Sequence, residues 1–529
     1  MFPHVLRAAA VRGLLGLAAT LALPATGFAT TRCVSNAYEL ASALADVRTA
    51  NDSLFFIRLR SGIYQVTNLT GPFELVQTHA NQIVDVSGGW SGANGACTSQ
   101  GYDPGLTTLI GSTTQPALTA YAGVPLSMDP ADIPYNAKVN VTGLTLKNPN
   151  FTKAYSTDAD LEDFPLDYWE PESACLNALV GLETNELLLE RLDIRNCHAP
   201  NNGNAAGAIR NIGAMLTMRN VAARQSSALG NAGLMVHSKQ GGVSRLSQIS
   251  VTGMDTNPSC EDPGTSNTFF YLDRTSGLEL RATEGGVNHL GNSVVWGNTR
   301  CSAAAAHDIW LIMGTWDDGD PYTIHDNVWT AGSGGDVWLD RVRTGDVYVW
   351  TPIQSPHTSD MSYGNPGFVA PGNPMPAPGS PLIDRGNANP QGGTGGRDAS
   401  GRTRVLGSRV DIGAYEAQPN QAPTLVLAPE YTVPPGASAA TLVFTAAASD
   451  DGLPGPIGYS LSSLCPGMFA IDGTTGAVRL ASANPQAGGE CDVTVTASDG
   501  VLQAAATTRV VLQAAPADAI FTDGFDAAP

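Results

Sequence analysis

The sequence predicts an all-β protein: a parallel β-helix (a solenoid of stacked strands) followed by a C-terminal β-sandwich. Three observations predict it. Segments with one apolar spacing recur at near-constant intervals between 139 and 253. Beyond 424 this repeat gives way to short alternating strands separated by turns. With 58 Gly, 35 Pro and only 14% charged residues in 529, the composition suits sheets and loops better than helices. The net charge of −20, from 28 basic against 48 acidic residues, argues against nucleic acid or an anionic membrane as partner. It fits a soluble exported protein, or one that holds Ca²⁺.

Residues 1–29 have the form of an export leader. Arg7 and Arg12 give a positive start, and "GLLGLAATLAL" (13–23) is an apolar core short for a membrane span. Small residues at Gly27 and Ala29 place cleavage after Ala29. A retained anchor is the alternative. Sec-type export would leave the protein secreted or on a bacterial outer surface, with no transmembrane span. The eight cysteines then read as disulfides, because none forms a CxxC. Nearest-neighbour pairing gives Cys33–Cys97, Cys175–Cys197, Cys260–Cys301 and Cys465–Cys491. Each would contribute roughly 3–4 kcal/mol through loop entropy.

Residues 33–50 put Tyr38, Leu40, Leu44 and Val47 near helical spacing. Such a helix would cover the open end of a strand stack. "FFIRLRSGIYQV" (55–66) alternates as a strand. The repeat follows in "VNVTGLTLKN" (139–148), "LLLERLDIRN" (187–196), "LTMRNVAARQ" (216–225) and "SRLSQISVTG" (244–253). Apolar residues hold offsets 0, 2, 5 and 7, as in Val139, Val141, Leu144 and Leu146; Ser244 breaks offset 0 in the fourth copy. The step from 2 to 5 breaks the alternation, so the chain bends between two short inward-facing strands. Copies two to four start 29 and 28 residues apart, which stacks each coil on the next. An insertion over roughly 149–178 carries the acidic loop "DADLEDFPLDYWEPE". "AQPNQAPT" (417–424) is a linker. The sandwich spans 421–514, with strands in 441–452, 469–480, 491–500 and 507–513, and 515–529 is an acidic tail.

"DVSGGWSGANGACTS" with "DPGLTTLIGS" (85–112) resembles the early coil of bacterial polymorphic-outer-membrane-type right-handed parallel β-helix proteins. "NPGFVAPG" (365–372), "GSPLIDRG" (379–386) and "RVDIGAYE" (409–416) resemble, in that order, the terminal module called the choice-of-anchor Q domain. Together the resemblances cover most of 30–418. That family places an aspartate-aromatic-x-leucine strand before "GSP"; this chain has "NPMPAP", so the strand is expected to be missing. "FAIDGTTGAV" and "VTVTASDG" resemble a cadherin-like, Ig-like repeat.

"RVDIGAYE" packs Arg409, Asp411 and Glu416 into one strand with Val410, Ile412 and Ala414 facing inward. One strand with two carboxylates lacks a convergent pocket, so it reads as architecture, with Asp411 meeting Arg402, Arg404 or Arg409. Six of the eight tryptophans lie between 296 and 350. "DIWLI" (308–312) and "DVWLD" (336–340) are 28 residues apart, so Trp310 and Trp338 would stack about 4.8 Å apart on adjacent coils. With Trp316, Asp317, Asp318 and Asp320 they are the glycan-binding candidates, rings stacking on a sugar and carboxylates accepting its hydroxyls. The competing reading buries the tryptophans in the solenoid. A lyase or hydrolase of acidic polysaccharide would use Asp317, Asp318, Asp320 and Asp340, but Arg341 replaces the histidine of the pectate-lyase strand that "DVWLDRV" loosely resembles. No cofactor is expected other than Ca²⁺, for which Asp450, Asp451, Asp472 and Asp499 are weak candidates beside a plain turn role. The family's acidic linker is replaced by Asn420. The expected role is adhesion or glycan binding by a monomer, without catalysis, its partner a surface or extracellular polysaccharide or another cell surface. A structural surface component is a third reading.

Overall fold

The computed structural model describes residues 29–123, 134–153, 173–181, 184–200, 204–228, 231–256, 277–300, 304–305, 308–314, 322–330, 337–340, 342–344, 347–349, 361–450, 456–484 and 488–515. The expected leader lies outside them but for Ala29. The protein is all-β, and most of its strands belong to two parallel sheets.

The first sheet runs, in pairing order, through Ala29–Val34, Leu54–Arg60, Ile83–Ser91, Lys138–Asn148, Glu186–Ala199, Met215–Arg224, Val243–Thr252, Val287–Trp296, Tyr322–Thr330 and Met361–Tyr363, every one of these pairings parallel. The second runs through Glu74–Gln77, Leu118–Ala122, Leu176–Val180, Gly207–Ile212, Leu234–Lys239, Leu278–Thr283, Ile309–Gly314 and Val337–Asp340, again all parallel. The four sequence repeats pair offset on offset: Val139 with Leu187, Leu187 with Leu216, Leu216 with Ser244. Their apolar positions are buried in one continuous cluster reaching from Val34 to Met361. Ser244, which breaks the pattern, is also buried. It sits in a polar seam, 2.6 Å from Ser238 Oγ and accepting from Asn211 Nδ2 at 3.1 Å. A buried hydroxyl is tolerated there because its partners are fixed by the neighbouring layers.

The expected bend is a left-handed residue repeated in register. Gly143, Arg191, Asn220, Gln248, Asn292 and Asn327 have φ of 67°, 53°, 54°, 50°, 48° and 54°. Asparagine tolerates this region best among non-glycines.

Three sequence expectations need correction. The helix occupies only Ala37–Asp46, with Asn36 as its N-cap; residues 33–34 belong to a strand instead. It buries Leu40, Ala43 and Leu44 against the first layers. The insertion cannot extend to 178, because Leu176–Val180 is a strand of the second sheet. The strand expected to be missing before "GSP" exists in short form: Asn373–Pro376 pairs antiparallel with Phe368–Ala370.

Residues 424–512 form separate sheets around a separate cluster that includes Val433, Phe444, Val478, Val493 and Val510. One sheet orders Glu430–Val433, Gln503–Leu512, Gly489–Ser498 and Gly458–Ser463; the other orders Leu442–Thr445, Ala477–Leu480 and Phe469–Ile471. Tyr431 stacks on Phe444 with ring centroids 4.2 Å apart. Among the described residues three disulfides are present, Cys33–Cys97, Cys175–Cys197 and Cys465–Cys491. Cys260 and Cys301 lie outside the described residues. Disulfides fit an oxidising, extracellular compartment. Among the described residues no helix is long and apolar enough to cross a membrane.

Candidate functional site

The segment holding "RVDIGAYE" is where buried charge concentrates. Residues 377–416 run back along the bend of the first sheet. Asn292 Nδ2 donates to Asn387 O at 2.8 Å, Ser247 Oγ to Gly393 O at 2.7 Å, and Asn220 Nδ2 to Thr394 O at 2.9 Å. Gly413 N donates to Asn292 O and Ala414 N to Ser250 Oγ. The expected strand is absent: 409–416 is a turn-rich segment, with Gly413 at φ 103° and every residue from Val410 to Glu416 buried. Of the three arginines proposed to meet Asp411, the fold selects Arg404. Its side chain is 0% exposed, 3.7 Å from the Glu416 carboxylate, and Nη2 donates to Asp411 O and Gly413 O. Asp411 accepts from Asp384 N and Ala417 N, Glu416 from Leu406 N and Asp411 N, and Asp398 from Ser400 N, Arg402 N and Glu416 N. Burial pushes the Glu416 carboxyl up to about 7, against the pull of the Arg404 charge. Burial also raises Asp398 and Asp411. Sequence reasoning missed Asp398. The charge density of "GRDASGRTR" in a charge-poor chain was the available signal. The carboxylates are filled by backbone N–H groups and the Ser400 hydroxyl, a pattern that holds structure together, while Arg404 Nε and Nη1 have no hydrogen-bond partner.

The tryptophan candidates divide. Trp310 and Trp338 are register partners on neighbouring strands of the second sheet. Ile309 and Leu311 are buried on either side of half-buried Trp310, so Trp310 faces outward. Trp316, Asp317, Asp318 and Asp320 lie outside the described residues. Trp296 and Trp329 follow neither expected alternative. They pack under the terminal segment beside Leu382 and Ile412. Trp296 meets Phe368 edge-on at 5.7 Å, and Trp329 Nε1 donates to Gly364 O at 2.8 Å.

In the C-terminal unit, exposed Asp472 accepts from Thr474 N and Thr475 N, which hold its carboxyl below the usual range. Asp499 accepts from Val501 N and Leu502 N, and from Asn420 Nδ2 at 3.0 Å. Asp472 and Asp499 are thus turn formers. Asp451 lies outside the described residues, whereas Asp450 is described and half-buried. Among the described residues no group of three or more His, Cys, Asp or Glu side chains is arranged to hold a metal ion.

No family model matches the chain, and no curated protein matches it. Among solved structures, part of the chain is similar to a two-repeat fragment of human protocadherin-24, at 26% identity over 18% of this chain and 44% of that one, TM-score 0.16. It is also similar to Drosophila N-cadherin repeats, at 19% identity over 20% and 27%, TM-score 0.16. A third is the human desmocollin-1 ectodomain, at 20% identity over 22% and 24%, TM-score 0.18. The chain spans less than half the length of each of these structures.

Proposed function

We propose that this is an exported, secreted or surface-associated protein that binds carbohydrate or another cell surface without catalysis. In this reading 30–418 is a right-handed parallel β-helix closed by a choice-of-anchor Q type module, 421–514 is a cadherin-like sandwich, and 515–529 is a tail. The observation that carries it is the outward-facing Trp310, whose register partner on the next strand of a parallel sheet is Trp338. An outward indole offers a flat apolar surface to the face of a sugar ring, and Asp317, Asp318 and Asp320 follow Trp310 closely in sequence. The test is Trp310→Ala in the full chain, read by glycan array and by melting temperature. Loss of glycan signal by about 1–2 kcal/mol with an unchanged melting temperature supports the reading. A fall in stability with unchanged glycan signal refutes it.

A further inference from the structure

A hairpin near the N-terminal end of the solenoid carries a pair of residues suited to one covalent reaction. Ile83–Ser91 and Ser99–Gln100 pair antiparallel, Trp90 with Gln100 and Ser91 with Ser99. At the tip, Asn94 and Gly95 are both left-handed, with φ of 53° and 80°. Ala96 N donates to Ala93 O at 3.1 Å. These are the marks of a type I′ turn, whose two central residues need positive φ and so favour Asn-Gly. Residues 93–96 are all exposed. Seven asparagines among the described residues have positive φ, and only Asn94 is followed by glycine. Asn220 and Asn292 are buried, and their carboxamides are tied to Thr394 O and Asn387 O. The Asn94 carboxamide has no such tie among the described residues and faces water.

Glycine carries no side chain to shield its nitrogen. Once the Gly95 N–H has given its proton to hydroxide, the nitrogen adds to Asn94 Cγ. A C–N bond forms and closes a five-membered imide. The Cγ–Nδ2 bond breaks, and Nδ2 takes a proton from water and leaves as ammonia. Solvent water then opens the ring. Breaking the bond from Cγ to the Gly95 nitrogen gives aspartate. Breaking the bond from the main-chain carbonyl carbon gives isoaspartate, with the chain routed through Cβ and Cγ. Ring closure needs Asn94 to rotate away from its ψ of 33°. The bond from Ala96 N to Ala93 O is exposed to water, so the tip opens easily. The stem stays in place, because Thr98 N donates to Ser91 O at 3.0 Å and Cys97 is bonded to Cys33. Arg60 stands beside the reacting pair. Its Nη2 donates to Gly92 O at 3.5 Å, and a Cβ on Gly95 would lie 3.9 Å from its Nη1. A cation at that place stabilises the anionic nitrogen and the oxyanion that forms on Asn94 Oδ1.

We infer that Asn94 is a modification site, at which solvent water converts the asparagine to aspartate and isoaspartate with the help of the Arg60 charge. The inference is independent of the carbohydrate-binding reading. Its product places a new carboxylate beside Arg60. As isoaspartate it also adds one main-chain carbon to the turn that leads into Cys97. The experiment incubates the folded, oxidised full chain at mildly alkaline pH. Fragment-resolved peptide mapping locates the conversion, and methyltransferase labelling scores isoaspartate. Asn94 gains about one dalton together with the label, and Asn220 and Asn292 gain neither. Asn94→Gln removes the label from this turn, because its longer side chain closes a larger ring more slowly. Arg60→Gln slows the conversion several-fold with its melting temperature held. Arg60→Lys, which keeps the charge, keeps most of the rate. If the folded chain leaves Asn94 intact over the time in which the reduced, denatured chain converts it, the inference is overturned. Conversion of Asn220 or Asn292 as fast as that of Asn94 overturns it too. Equal rates in wild type and R60Q overturn the part assigned to Arg60.

Discussion

Replacing Arg404 with Met tests whether "RVDIGAYE" is architecture. The guanidinium is fully buried, donates to two backbone carbonyls, and is the cation facing Glu416, Asp411 and Asp398. Removing one partner of a buried charge group costs about 3–5 kcal/mol, because the remaining charges are left uncompensated. The pH dependence gives a sharper reading. A glutamate raised from 4.5 to about 7 keeps its proton in the folded state while the unfolded chain has lost it. The folded state therefore binds more protons between those two values, and stability falls as pH rises through that window. At about 1.4 kcal/mol per pKa unit this is worth on the order of 3 kcal/mol. In Arg404→Met the cation no longer pulls Glu416 down, so the fall extends to higher pH and the mutation costs more at pH 8 than at pH 5. Glu416→Gln flattens the slope. Denaturant unfolding followed by tryptophan fluorescence suits the question, since Trp296 and Trp329 pack against this segment. A cost below about 1 kcal/mol, the worth of an ordinary hydrogen bond, or a cost independent of pH, would refute the reasoning.

Other outcomes follow from the same contacts. Asn292→Ala loses both bonds to Asn387 and leaves alanine at φ 48°; it costs about 2–4 kcal/mol in unfolding experiments, and Asn292→Gly recovers the backbone part. Residues 421–514, expressed alone with Cys465–Cys491 oxidised, unfold cooperatively with a β-type circular dichroism spectrum; a disordered spectrum would place the boundary elsewhere. Mass spectrometry of the non-reduced exported protein finds no alkylatable thiol, which requires Cys260 and Cys301 to be bonded; two free thiols would overturn that pairing.

The parts of the fold that were legible in the sequence are those buried on one side only. The first-sheet repeats alternate because their outer face is partly solvated, so Val139, Leu189 and Leu216 stood out against Asn140, Glu190 and Thr217. The second sheet was nearly invisible outside "DIWLI" and "DVWLD". Its strands are five or six residues long at 176–180, 207–212 and 234–239. Their outward residues are buried too: Leu179 is 3% exposed, Ile212 4% and Met235 7%. Burial on both faces erases the period of two from which strands are read.

The bend and the terminal segment work as one device, and this accounts for the residues that first suggested an active site. Six layers, from Lys138–Asn148 to Tyr322–Thr330, carry a left-handed residue at the bend, and glycine fills it without strain in one of them, at Gly143. The chain instead uses Asn220 and Asn292, whose side chains bond Thr394 and Asn387 of the returning segment. That segment is irregular, and its 410–416 stretch is buried, which leaves backbone N–H groups with no sheet to accept them. Three carboxylates take them: Asp411 accepts two, Glu416 two and Asp398 three. A buried carboxylate serving backbone donors still needs a counter-charge, and Arg404 is the cation that can reach it. Acids and an arginine packed into a charge-poor stretch therefore follow from folding a loop into the interior, with no catalytic demand on them. An acid recruited to bind ligand would instead keep an unfilled acceptor facing solvent.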